Sequence, residues 1–222
     1  MTSAVWMDRH YFGWEMKNTQ LLILGIGNIL WADEGFGVRC VETINAAYQF
    51  GDDVTVMDGG TQGLYLLPYL VDARRLIVFD AVDYGKKPGE IVVAKDDEVP
   101  RFMGVKKMSL HQTGFQEVIA CAALTDKLPE SMVLIGVQPE QLEDFGGSLR
   151  DSVKAQIPHA IEIALDLLKE WGIPYSARTT PIASRCVNGD LLDMESYEAG
   201  RPSAELACRF GDERFLTGSV EG

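Results

Sequence analysis

Residues 21–39 read LLILGIGNILWADEGFGVR, and the fold follows from how that stretch is parsed. Leu21 to Leu24 is a short apolar run closed by glycine, the pattern of a strand buried on both faces of a parallel sheet. Gly25, Gly27 and Asn28 supply a tight turn, and Asp33 and Glu34 fall where a helix should begin. A strand thus delivers two carboxylates to the loop at its C-terminal end, which is the edge where open parallel sheets bind ligands.

The same alternation continues downstream. Phe36 to Phe50 has the spacing of a helix, and Gly51-Asp52-Asp53 breaks it. Val54 to Met57 is a second strand leading into Asp58-Gly59-Gly60-Thr61, and Gln62 to Val71 reads as a helix with Pro68 near its end. Leu76 to Phe79 is a third strand ending on Asp80, and Ile91 to Ala94 is a fourth. Met108 to Thr113 is a polar approach to a helix from about Gly114 to Leu124, followed by a fifth strand, Met132 to Val137. Ser152 to Trp171 is a long amphipathic helix that Pro158 kinks or restarts. Strands and helices in this order predict an α/β fold, a doubly wound, mostly parallel sheet of about five strands. The expected organisation is an N-terminal extension over 1–20, the α/β domain over 21–173, and a C-terminal extension over 174–222 that is partly ordered at best, because periodicity fades from Pro174.

Bulk properties narrow the function. The chain has 222 residues and a formal charge of −13, so a phosphate-tracking surface for nucleic acid or anionic membranes is disfavoured. No apolar run reaches the roughly 18–20 residues of a membrane span, and the first twenty residues lack the basic start and apolar core of a secretory signal. A cytoplasmic protein, by default a monomer, is expected. The cysteines, Cys40, Cys121, Cys186 and Cys208, are too widely spaced for a CxxC motif; the first two read as small buried hydrophobes and the last two as inert.

The glycine turn matches two positions of a dinucleotide-binding GxGxxG, but Leu30 stands in the third glycine's place and two acids follow it. It makes a poor phosphate cradle. More informative is what the strand ends share. Glu34 follows the first strand, Asp80 ends the third, and His111 precedes a helix. Two carboxylates and an imidazole that converge on one crevice suit a divalent transition metal with open positions. Each residue also has an ordinary role available: helix-dipole complement, turn cap, or backbone hydrogen bond. Spacing leaves open whether Asp33 or Glu34 is the ligand. Asp58, with Gly59 and Gly60 behind it, is a candidate for contact with a bound peptide, as is Asp33. No GxSxG serine or paired Cys–His nucleophile is evident, so a hydrolase built on this chain would activate water through a metal or a carboxylate.

Taken together, GIGNILWADEGFGVR, VMDGGTQGLYLL, IVFDAVDYGKKPGE, KKMSLHQTGF and LIGVQPE resemble the successive motifs of the nickel–iron hydrogenase maturation endopeptidases. The subgroup that processes membrane-associated uptake hydrogenases is the nearest likeness. The resemblance runs in register from about Leu21 to Trp171, and the tail around Arg185-Cys186 and Met194 to Glu198 shares it. It implies a three-layer α/β/α domain. The implied activity is removal of a C-terminal peptide from the hydrogenase large-subunit precursor after nickel insertion, with nickel held by that substrate as the recognition element. The implied metal contacts are Glu34, Asp80 and His111, with Asp80 and Glu34 as catalytic groups, so resemblance favours Glu34 over Asp33 where spacing could not. The competing expectation is a nickel-dependent chaperone that binds the same precursor without cutting it.

Overall fold

A computed structural model describes residues 19–103, 110–180 and 194–199, the side chains of 101–103, 110–113, 195 and 196 excepted. Its centre is β1 (Thr19–Ile26), flanked by β3 (Val54–Gly60) on one side and β4 (Ala73–Ala81) on the other, both parallel to it. β6 (Ser131–Val137) adds in parallel to β4, and β5 (Ile91–Lys95) closes the edge antiparallel to β6. The resulting order, β3-β1-β4-β6-β5, is the mostly parallel five-stranded sheet expected.

The two-residue repeat of a strand sends alternate side chains to opposite faces, and each face is roofed by helices. Leu21, Ile23, Ile77, Phe79, Val133 and Ile135 point to one side. There they pack with Phe36, Cys40 and Ile44 of α1 (Phe36–Ala47) and with Ile157, Ile161, Ala164 and Leu168 of α6 (Ile157–Glu170). Leu22, Leu24, Leu76, Val78 and Leu134 point to the other. Their partners are Leu70 of α2 (Leu67–Asp72), Val99 of α3 (Glu98–Met103), and Phe115, Val118 and Ile119 of α4 (Leu110–Leu124). Two apolar cores sandwich one sheet, giving three layers. No helix among the described residues is long and apolar enough to cross a membrane.

Several elements depart from the sequence expectation, each for a local reason. α1 stops at Ala47, and Tyr48–Phe50 is instead a short strand, β2, antiparallel to β7 (Tyr175–Ala177). Edge-to-face contact between Tyr48 and Tyr175, centroids 5.7 Å apart, favours that pairing. The expected helix over Gln62 to Val71 is a 3₁₀ turn (Gly63–Leu66) that runs into α2, and Pro68 lies in the first turn of α2, where its missing N–H costs nothing. Pro158 likewise restarts the long helix: α5 (Asp151–Lys154) ends before it, and it lies in the first turn of α6. The C-terminal region contributes more than β7. Within α7 (Met194–Ala199), Glu198 receives hydrogen bonds from Lys154 at 2.7 and 2.8 Å and from Ser148 at 2.8 Å, and Met194 packs against the α1/α6 core.

Candidate active site

The strand order reverses direction at β1: the chain crosses to β3 on one side and then returns to β4 on the other. A crevice opens at such a reversal, outside the carboxyl ends of the strands. The Glu34 turn follows β1 there, and Asp80 is the penultimate residue of β4. Two glycines seat the turn on the sheet. Gly27 has φ +139°, a conformation that favours glycine, and a Cβ on it would overlap the carbonyl of Glu34. Gly37, in the first turn of α1, lies against the carbonyls of both Ile26 and Phe79, the last residue of β1 and the neighbour of Asp80. No side chain fits between them, so the turn bearing Glu34 rests directly on the strand end bearing Asp80.

The two acids of that turn separate sharply in role. Asp33 is fully buried, and its carboxylate is spent on backbone: one oxygen accepts the N–H groups of Glu140 and Gln141, both at 2.8 Å, and the other accepts that of Arg150 at 2.7 Å. Both of its oxygens are thus occupied, and it braces the loop after β6. Glu34 is only partly buried, in a short 3₁₀ turn (Ala32–Gly35), and desolvation by that burial raises its carboxyl pKa to about 7.

Asp80 is fully buried and its Oδ1 accepts the N–H of Ala81 at 2.8 Å, which fixes the carboxylate at the rim. Gly136 pairs with it across β6, and a Cβ at Gly136 would overlap the Tyr84 hydroxyl, so that ring lies over the strand beside Asp80. Burial, helped by the negative charge of Asp80, pushes the Tyr84 hydroxyl above its ordinary range. Gln138 holds the Tyr84 segment in place: its Oε1 accepts the N–H groups of Tyr84 and Lys86 at 2.8 and 3.0 Å, and its Nε2 donates to Asp83 at 3.0 Å. Reading the sequence missed Tyr84 and the role of Gln138; their signal was slight, a tyrosine four residues past Asp80 and a glutamine at a strand end.

On the other side of β1, Asp58 pairs with Gly25 and stands with Gly60, Thr61 and residues 27–30 around a cleft of about 220 Å³. Desolvation raises the Asp58 carboxyl, with partial relief from a hydrogen bond to the Gly60 backbone. Gly60 has φ +44° and its carbonyl accepts the N–H of Gly27. Gly59 serves packing: a Cβ there would stand 2.7 Å from the Leu24 side chain. α4 starts at Leu110, earlier than its expected start near Gly114, so His111 belongs to its first turn; the His111 side chain lies outside the described residues. A Cβ at Gly114 would stand 3.2 Å from the Cα of Gly63, just past the cleft residue Thr61, so the N-terminal part of α4 packs against the 3₁₀ turn that follows the cleft. Among the described residues, no group of three or more His, Cys, Asp or Glu could hold a metal ion.

A sequence profile described as HycI, hydrogenase maturation protease, matches residues 38–167. The chain belongs to the hydrogenase maturation protease family. It is 58% identical over 201 residues to the hydrogenase expression/formation protein HoxM of Azotobacter vinelandii, an alignment covering 90% of this chain and 96% of that one. It is 39% identical over 155 residues to the hydrogenase 2 maturation protease of Escherichia coli, covering 69% and 93% of the two chains. Among solved structures, the E. coli maturating endopeptidase HybD superposes with a TM-score of 0.68 at 37% identity, over 72% of this chain and 99% of that one. This member of the maturation proteases is therefore a peptide-bond hydrolase on a three-layer α/β/α fold, longer than the solved enzyme it matches.

Proposed function

We propose that this protease is an endopeptidase that removes the C-terminal peptide of a nickel–iron hydrogenase large-subunit precursor, and that it reads nickel already held by that precursor. The observation that carries the reading is the seating of the Glu34 turn, through Gly37, on the strand end of Asp80 at the reversal of strand order. It supplies two carboxylates at one rim, and the N-terminal part of α4, the helix that bears His111, packs against the 3₁₀ turn beside the Asp58 cleft.

In this reading Glu34, Asp80 and His111 are the side chains that meet the precursor's nickel. An incomplete donor set of this kind suits an ion whose remaining ligands come from the substrate. Precursor without nickel loses those bonds and their binding free energy, which gives the enzyme a means of acting only after metal insertion. Asp80, fixed by the Ala81 N–H, activates the water that attacks the scissile carbonyl, with Glu34 as the second catalytic carboxylate. Asp58, Gly59 and Gly60 border the cleft through which the peptide reaches that water, Asp58 and Gly60 lining it directly. The protein works in the cytoplasm as a monomer.

Mass spectrometry of nickel-loaded precursor before and after incubation tests this. Wild-type protein should release one C-terminal peptide, and alanine at Glu34, Asp80 or His111 should release none while the domain stays folded. An intact precursor that nevertheless co-purifies with the wild-type protein would favour the non-cleaving chaperone; wild-type rates in all three variants would remove the site assignment.

A further inference from the structure

The loop between β6 and α5 does more than connect them. Residues 139–150 fold over the Glu34 turn and are fastened to it along their length. Asp33 binds both ends, through the N–H groups of Glu140, Gln141 and Arg150. Backbone bonds fill the interval: Asp33 N–H to Gln141 O at 3.1 Å, Ala32 N–H to Gly147 O at 3.1 Å, and Gly146 N–H to Leu30 O at 2.7 Å. Arg150 closes the loop on itself through an ion pair with Asp144 at 2.7 Å.

All of this anchoring holds an apolar tip out to solvent. Phe145 is 58% exposed, its ring edge-on to Trp31 with centroids 5.4 Å apart, and Leu30 and Trp31 are themselves exposed beside it. Leu30 joins the tip to the cleft, because its carbonyl holds Gly146 while the residue lines the cleft with Asp58 and Gly60. Rigid aromatic side chains held in place before binding are what recognition surfaces use as anchors. The electrostatics choose the partner. Glu140, Glu143 and Asp58 flank this region on a chain of net charge −13, so an acidic segment is repelled, and a segment that pairs an apolar side chain with basic neighbours is the one that fits.

Resting on the endopeptidase reading above, we infer that residues 139–150 are a substrate-reading arm. The Leu30–Trp31–Phe145 tip seats an apolar side chain of the precursor segment that enters the cleft. Asp33 is the positioning residue that holds the arm at a fixed height over Glu34.

Steady-state cleavage of nickel-loaded precursor by wild type, Phe145→Ala, Trp31→Ala, Asp33→Asn and Leu124→Ala tests the arm. Leu124, 87% exposed at the end of α4, controls for loss of any exposed apolar side chain. Phe145→Ala should raise KM roughly tenfold, the order expected for losing burial of one large apolar group, with kcat within about twofold and an unchanged melting temperature. Asp33→Asn should lower kcat/KM at temperatures where its own melt shows it folded. Adding Phe145→Ala to it should then cost less than in the wild-type background, because the arm is already displaced. Leu124→Ala should behave as wild type.

Wild-type KM in both Phe145→Ala and Trp31→Ala overturns the arm. So does a Phe145→Ala effect limited to converting a dimer to a monomer in sedimentation, which would make the tip a contact between copies. If the wild-type enzyme releases no peptide, the endopeptidase reading falls and takes the arm with it; cleavage that is indifferent to Phe145 overturns the arm alone.

Discussion

The two ends of the sheet differ in where they keep their polar groups. At the N-terminal rim the Arg74–Glu130 ion pair, 2.7 Å long, is left in solvent, with side chains 54% and 64% exposed. At the C-terminal rim and the loop fastened to it, Asp33, Asp80, Gln138, Asp144 and Ser148 are all buried. Burying a carboxylate costs several kcal/mol unless hydrogen bonds replace its water. Among the described residues the buried carboxylates, Asp33, Asp80 and Asp144, all belong to the C-terminal rim or its loop, so the fold accepts that cost there. The lesson is that buried carboxylates, more than pocket size, distinguish the rim where the proposed site lies.

The contrast can be broken most decisively through activity. Alanine at Asp80, Glu34 or His111 should lower the cleavage rate at least about a thousandfold, the scale expected when a charge-stabilising or proton-transferring group is lost, whereas Arg74→Ala should cleave at the wild-type rate. Comparable rates in the two sets would erase the difference between the rims.

Stability comes next. Asp33→Ala leaves three partly buried N–H groups without their acceptor and should cost about 2–4 kcal/mol in urea unfolding. A cost below 1 kcal/mol would mean that the brace is dispensable. Gly37→Ala pushes a methyl into the carbonyls of Ile26 and Phe79 and should cost about 1–3 kcal/mol, with the Glu34 turn displaced and activity reduced beyond the loss of fold.

A smaller effect follows from the Glu34 carboxyl, which burial raises from 4.5 to about 7. The folded protein then holds this proton more tightly than the unfolded chain. Its ionisation costs nothing below pH 4.5, an increasing amount between pH 4.5 and 7, and the full amount above pH 7. In the metal-free protein, Glu34→Gln should therefore be neutral at pH 4 and stabilising at pH 8 by on the order of 1 kcal/mol, once solvent screening of a partly exposed group is allowed for. Thermal melts at the two pH values check it; the same shift at both would remove the burial explanation. Least of all, Arg74→Ala should change stability by under about 0.5 kcal/mol, as expected for an exposed pair.

How much of this was legible in the sequence depends on how local the cause is. The central strands β1, β4 and β6 declared themselves as apolar runs because both faces are covered, and Pro158 restarted its helix as its ring chemistry requires. β2 and β7 were not legible, being three residues each and formed by pairing Tyr48–Phe50 with Tyr175–Ala177, segments far apart in the chain. The strand ends carrying Glu34 and Asp80 could be brought to one rim by topology alone. The division of labour between Asp33 and Glu34 could not, since the donors that occupy Asp33 lie 107 to 117 positions away and are backbone groups with no side-chain signature. Tyr84 is similar: what places it beside Asp80 is the absence of a side chain at Gly136 on the neighbouring strand.

The central proposal, that this rim reads nickel carried by the precursor, is tested most directly by timing the cleavage of nickel-loaded and nickel-free precursor side by side with the same enzyme. The expected result is rapid release of the C-terminal peptide from the loaded form and little or none from the empty one; equal rates for the two would contradict it.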